Sequence, residues 1–269
     1  MNKFSVLTSL YNSENFLDSY FNTIFSQELL PSEIILIDDT KNPKNLVEIV
    51  KNKCFLYNFA NIKIIKNNKN LGPALSLNKG LKICSNNLIF RLDVDDLWKS
   101  NHTKTMLNYY EKDNKFLIYA VSLKKKNFLT NLKCDEFLIN ENHLIHSSWL
   151  INRNILKTFR YHMESPKIAL EDYFTLLYYT LKDFNFFFSH KQTVIYQEVF
   201  LSHGQKHKNN PKYLKVRKFI SKKFLEVYFF KNKTLLKKIN FFLFKYGVIK
   251  FIILQIWILD RFFIKKFIK

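Results

Sequence analysis

The sequence predicts an α/β protein: a mostly parallel central sheet with flanking helices, followed by a basic, amphipathic helical C-terminal tail. Three observations carry this. Short uninterrupted apolar runs alternate with segments of helical spacing over the first hundred residues, several of the runs end in polar or acidic residues, and the positive charge is concentrated beyond residue 211. Strands that are apolar along their whole length are buried on both faces, as in a parallel sheet covered by helices.

The elements follow in order. Phe4–Leu10 is β-branched and apolar and reads as the first strand. Residues 14–26 read as a helix, with Phe16, Leu17, Tyr20, Phe21, Ile24 and Phe25 at helical spacing. Glu33–Asp38 is the second strand, 45–53 a helix, 62–65 the third strand, 74–83 a helix and 88–92 the fourth strand. After residue 115 the pattern is less regular. It predicts strands at 116–123 and 144–151, a short helix at 152–159, and a helix at 170–181 with Leu170, Phe174, Leu177 and Leu181 on one face. Phe186–Ser189 and residues 193–196 read as further strands. A polar stretch at 202–211 then divides a body, 1–205, from an extension, 206–269.

The chain has 269 residues, 47% of them hydrophobic, with four Gly and five Pro, which excludes disordered, collagen-like and linker-rich classes. Cys54, Cys84 and Cys134 are widely spaced and form no C-x-x-C pair, which argues against a disulfide framework or a cysteine-built zinc site and for a reducing compartment. The net charge is +21, yet residues 1–211 hold only +7 of it. The N-terminal apolar run is broken by Asn12 and Glu14 and reads as a strand, not a signal peptide. Residues 251–259, the longest uncharged apolar run of the tail, fall well short of the roughly 20 needed to span a bilayer. Lys222-Lys223, Lys237-Lys238 and Lys265-Lys266 alternate with runs such as Phe241-Phe-Leu-Phe244. Such helices suit a membrane surface, and ordinary packing on the body is the alternative. Nucleic acid is disfavoured as a partner, because the apolar residues form long runs instead of isolated stacking platforms.

In a parallel sheet ligands bind beyond the carboxyl ends of the strands. Here those ends read Ser9-Leu10-Tyr11-Asn12, Asp38-Asp39 and Asp93-Val94-Asp95-Asp96. One such ending is turn chemistry; three on one edge point to a site. The carboxylates of Asp93, Asp95 and Asp96 repel one another unless a cation compensates, and hard oxygen ligands suit Mn²⁺ or Mg²⁺ bound to a diphosphate. The alternative is an acidic turn in which Asp96 caps the next helix. Glu171 and Asp172 open a helix, where the dipole favours acids without any catalysis.

The segments Phe4-Ser-Val-Leu-Thr-Ser-Leu-Tyr-Asn-Ser-Glu14, Glu33-Ile-Ile-Leu-Ile-Asp-Asp39, Asn70-Leu-Gly72 through Leu77-Asn-Lys-Gly80, and Arg91-Leu-Asp-Val-Asp-Asp96 resemble, in order and spacing, those of a family 2 glycosyltransferase with the GT-A fold. Ala169-Leu-Glu-Asp-Tyr173 resembles that family's Glu-Asp motif, so the likeness runs from residue 4 to about 200. The resemblance implies that Tyr11 stacks on the base of a nucleotide-sugar, often a uridine one, and that Asp39 hydrogen-bonds it. It implies that Asn70 and Gly72 shape the adjacent loop, that Asp93 approaches the ribose and that Asp95 binds the metal. Ser9, Asn12, Glu14, Asn78 and Arg91 fall in the same donor-side segments. Asp172 would be the base that deprotonates the acceptor hydroxyl, with Glu171 the fallback, and direct displacement would invert the anomeric carbon.

His146 and Ser147 resemble the acceptor-side segment, and His203 and His207 lie in a polar loop that would close over the donor and add a metal ligand, solvated loop histidines being the alternative. Ser9 stands where the family usually has Pro. Leu77 stands where it often has Arg, so that Lys79 or the metal would have to compensate. The implied protein is a metal-dependent inverting enzyme of surface polysaccharide assembly, acting on a glycan or lipid-linked acceptor, cytoplasmic and peripheral on the inner face of the membrane. The competing class is a non-catalytic membrane-associated scaffold that retains a nucleotide-binding domain. A nucleotidyltransferase is disfavoured, since no Gly-rich phosphate loop lies near the N-terminus.

Overall fold

The computed structural model describes residues 2–40, 46–123, 142–162 and 170–195. In chain order they form β1 (Phe4–Leu10), α1 (Leu17–Phe25), β2 (Glu33–Asp38), α2 (Leu46–Leu56), β3 (Ile62–Lys66), α3 (Pro73–Ile83), β4 (Leu88–Arg91) and β5 (Leu97–Trp98). Then come α4 (His102–Lys112), β6 (Ile118–Ser122), β7 (Leu144–Asn152), α5 (Glu171–Leu181), β8 (Phe186–Ser189) and β9 (Val194–Ile195). Among the described residues there is a seven-stranded sheet, ordered β3-β2-β1-β4-β7-β6-β8, and a two-stranded one, β5-β9. β3, β2, β1 and β4 pair in parallel, and β6 pairs in parallel with β8. β7 alone is reversed, antiparallel to both β4 and β6. Its first residues therefore lie at the edge where β1, β2 and β4 end.

The continuous apolar runs explain this arrangement. Every residue of β2 and β4 is buried, and in β1 only Ser9 is partly exposed. Helices must cover both faces of such strands. α3 packs on β1 and β2, and at Gly80 a methyl group would strike a Leu7 methyl and press on Ile37. α1 buries Leu17, Tyr20, Phe21 and Ile24, the spacing of one helical face. Thr23 Oγ1 accepts from Trp98 N at 2.9 Å and donates to Trp98 O at 3.0 Å, tying α1 to β5. At the opposite edge from the strand endings, the buried Glu33 carboxylate accepts from Ser5 Oγ, Ser85 N and Lys63 Nζ.

Several sequence expectations need correction. Residues 152–159 form no helix. Asn152 Oδ1 accepts from Asn154 N, and Ile155 N and Phe159 N bond three residues back, so successive turns replace helical bonds. The 14–26 segment opens with a 3₁₀ turn, Glu14–Phe16, before α1 begins. α4 follows Asp96 at a distance and is preceded by Asn101, so Asp96 does not cap it. α5 turns Tyr173, Leu176, Leu177, Tyr179 and Thr180 inward, whereas Phe174 and Leu181 are only partly buried. Val194–Ile195 pairs with β5 and not with the main sheet. The boundary near residue 205, the tail, Cys134, Ala169, His203 and His207 lie outside the described residues.

Candidate active site

Two groups of side chains form along the edge where β1, β2 and β4 end. The first is built on Asp39. Asp39 N bonds to Leu10 O at 2.9 Å, locking the ends of β2 and β1 together. Its Oδ1 accepts from Asn67 Nδ2 (2.9 Å) and Leu71 N (2.8 Å), and its Oδ2 accepts from Gly72 N (2.8 Å). Asn70 Oδ1 also accepts from Gly72 N, at 3.0 Å. Asp39 thus holds the loop before α3 in shape and keeps little free accepting capacity. Gly72, at φ 80°, takes a conformation that penalises a side chain, and Pro73 starts the helix.

Tyr11 is 44% exposed beside this loop edge of the sheet, and Asn12, at φ 48°, donates from its backbone N to Thr40 Oγ1 at 3.1 Å. Thr40, Lys66, Asn67, Asn68, Lys69 and Asn70 line a cavity of about 530 Å³. Ser9 and Glu14 are partly buried near the same strand end. Lys79 Nζ is bound to Lys66 O and Asn67 Oδ1, and Leu77 is buried under the sheet.

The second group is acidic. Arg91, 1% exposed at the end of β4, donates to Asp93 Oδ1 and to Leu92 O. Ser147 Oγ, near the start of β7, lies 3.0 Å from Asp93 Oδ2, abuts Asp96 Oδ2, and accepts from Asp93 N at 3.1 Å. His146 Nδ1 faces Asp93 Oδ2 at 3.6 Å. Burial pushes the Asp93 carboxyl up, but Arg91, then His146 and Ser147, outweigh it and hold the group below its ordinary value. Burial, and then the Asp93 charge, raise Asp95 to about 6. On α5, burial raises Asp172 to about 6, with the Asp93 charge adding to it. Burial and the neighbouring Asp172 raise Glu171 to about 8. Asp172 Oδ2 accepts from Asn142 Nδ2 at 2.5 Å, while Glu171 Oε2 is buried without a partner among the described residues.

The structure therefore brings Arg91, Asp93, Asp95, His146, Ser147, Glu171 and Asp172 into one electrostatic unit, with Tyr11, Asp39, Asn70 and Gly72 beside it on the same edge. Asn78 belongs to neither as a ligand contact. Its Oδ1 accepts from Tyr161 N (2.7 Å) and its Nδ2 donates to Tyr161 O (2.9 Å), so its amide is spent on a brace. Asn67, Asn142 and Tyr161 went unnoticed in the sequence, and no local pattern marks them. No cluster of three or more His, Cys, Asp or Glu forms a metal cage among the described residues. The donor set still fits a hard divalent cation. No Lys or Arg forms an ion pair with Asp95 among the described residues, and such ions are commonly held by one or two carboxylates plus substrate phosphates.

The model of the family described as glycosyl transferase family 2 matches residues 5–200. The chain is similar to the UDP-Gal:alpha-D-GlcNAc-diphosphoundecaprenol beta-1,3-galactosyltransferase of Escherichia coli, with 32% identity over 113 residues, 41% of this chain and 40% of that one. It therefore spans well under half of that relative. It also resembles TarS 1-349 of S. aureus in complex with UDP-GlcNAc (TM-score 0.59, 17% identity, 81% of this chain and 65% of that one). A third likeness is to the mannosyltransferase PcManGT of Pyrobaculum calidifontis in complex with GDP-Man and Mn²⁺ (TM-score 0.60, 12% identity, 79% and 61%). At these identities the two structural likenesses establish the fold.

Proposed function

This chain belongs to glycosyl transferase family 2, and from that premise we propose that it transfers a sugar from a nucleotide-sugar, of the uridine type, to a glycan or lipid-linked acceptor with inversion at the anomeric carbon. The observation that carries the proposal is the pairing of two raised carboxylates, Asp95 and Asp172, with the tightly held Arg91–Asp93–Ser147 group. Tyr11 supplies an exposed ring for base stacking, and the loop fixed by Asp39 forms one wall of the nucleotide side. Asp39 acts there chiefly by holding Asn70 to Gly72 in place. Lys66 and Lys69, on the cavity beside it, suit an anionic ligand. A divalent cation held by Asp95 and the donor phosphates would neutralise the charge that develops on the leaving diphosphate.

Asp172 acts as the base. With a pKa of about 6 it is ionised at neutral pH, yet basic enough to accept the acceptor hydroxyl proton. Glu171, at about 8, keeps its proton under those conditions and spares the helix start a second negative charge. Turnover then rises with pH through about 6 as Asp172 ionises.

Lipid-linkage of the acceptor is supported by the diphosphoundecaprenol in the name of the E. coli relative. The basic, apolar composition of 206–269 suits work at the inner face of the membrane. The described residues contain no helix long and apolar enough to cross a membrane. The scaffold reading draws on Leu77 and predicts nucleotide binding without turnover in every acceptor mixture. The deciding experiment is Mn²⁺-dependent release of nucleoside diphosphate from a panel of nucleotide-sugars. We expect one preferred donor, loss of release in Asp95→Ala, and a fall of about 10²–10⁴ in acceptor-dependent turnover in Asp172→Asn with donor binding kept. Full turnover by Asp172→Asn would remove it from the role of base.

A further inference from the structure

The sequence attributes nothing to Tyr161, and it lies outside both groups of site residues. It is fully buried, its ring parallel to that of Trp149 at 6.0 Å and edge-on to that of His146 at 5.4 Å. Its backbone N and O are both claimed by the Asn78 side chain, from the middle of α3. Its hydroxyl lies 3.0 Å from His146 Nε2, and the other ring nitrogen of His146 faces the Asp93 carboxylate.

We propose that Tyr161 is a positioning residue: its hydroxyl donates to His146 Nε2 and so fixes the tautomer in which the Nδ1–H is directed at Asp93. Both ends of the imidazole demand this sense. Were Nε2 protonated, the Tyr161 proton would be left buried without a listener on His146, and a lone pair on Nδ1 would oppose the Asp93 carboxylate. The charged groups around the ring are Asp93 and the Arg91 guanidinium, and burial, followed by Arg91, drives the His146 pKa down to about 3, so a single ring proton is there to be placed. The chain of contacts runs from Asn78 on α3 through Tyr161 and His146 to Asp93 Oδ2. Asp93 Oδ1 is taken by Arg91, so both carboxylate oxygens are oriented before any ligand arrives. Asn78, expected to touch the donor, serves the donor side at one remove by anchoring Tyr161.

The tautomer stands independently of the activity; the effect on donor binding rests on the glycosyltransferase reading, in which Asp93 approaches the ribose. The test is ¹⁵N NMR of the imidazole nitrogens in the full chain, with His146 assigned by the signals lost in His146→Asn. In wild type His146 should show a protonated Nδ1 and an unprotonated Nε2. Tyr161→Phe keeps the ring and its stacking on Trp149, and the Nε2 signal should move further downfield on losing its donor. A protonated Nε2 in wild type, or an Nε2 signal indifferent to Tyr161→Phe, overturns the proposal. In the same variant the donor KM should rise about three- to tenfold, the loss expected for one hydrogen bond, with kcat changed less. An unchanged KM overturns the positioning role. Failure of the wild type to bind any nucleotide overturns the glycosyltransferase reading, and the ¹⁵N spectrum still decides the tautomer.

Discussion

Glu171 and Asp172 are adjacent at the start of one helix and differ in what surrounds them. Asp172 receives a bond from Asn142 and one from Tyr173 N, while Glu171 Oε2 is buried without a partner among the described residues. That contrast sets a pH dependence of stability. Burial, and then the Asp172 charge, raise the folded-state pKa of Glu171 to about 8 from an ordinary 4.5. Between those values the folded protein holds a proton that the unfolded chain has lost, so its contribution to stability is full below 4.5 and is lost as pH rises through about 8. Glu171→Gln removes the slope. Its melting temperature should match wild type at acidic pH and exceed it above pH 8, the gap opening progressively between about 4.5 and 8. Melting curves across pH check this, and a difference that does not change with pH would show that Glu171 is not a buried acid.

At the scale of elements the close seat of α3 on β1 and β2 matters most, because this helix carries both the loop held by Asp39 and the Asn78 brace. Gly80→Ala places a methyl against Leu7 and Ile37 and should cost about 1–3 kcal/mol, read as a lower denaturant midpoint with an unchanged slope. A neutral substitution would mean that the helix has room to move. The first four strands and α1 to α3 were legible because each is either an apolar run or a clean helical stripe. α4 was not, since three of the five buried residues of His102-Thr-Lys-Thr-Met-Leu107 are His102, Thr103 and Thr105. His102 hides by stacking on Trp98 at 4.7 Å and bonding to Thr193 Oγ1 at 2.8 Å, a tertiary solution with no local signature. The site divides in the same way. Asp39, Asp93, Asp95 and Asp172 announce themselves at strand and helix ends, whereas Asn142, Tyr161 and the brace at Asn78 depend on pairs 30 to 83 residues apart.

At the scale of the whole molecule charge is distributed unevenly, with a mildly basic body and a strongly basic extension. If that extension meets an anionic bilayer, the full chain should float with vesicles rich in anionic lipid and not with neutral ones. Raising salt to about 0.5 M, where screening acts within a few ångströms, should release most of it. Lys→Glu changes at Lys222, Lys223, Lys237 and Lys238 should weaken binding about tenfold or more in a flotation assay, and equal binding by that variant would favour packing on the body. The reversed strand bears on the newborn chain. β1 to β4 are complete once residue 91 has been made, and β6 follows at residue 122, but β4 and β6 are joined to each other only through β7, which is synthesised last of the three. Until it inserts between them, the ribosome holds out a sheet whose β4 edge offers bare N–H and C=O groups to any passing strand. A nascent chain stalled or cleaved between residues 123 and 144 would carry Tyr11, Asp39, Asp93 and Asp95 together with that sticky edge, which would make it a substrate for chaperones.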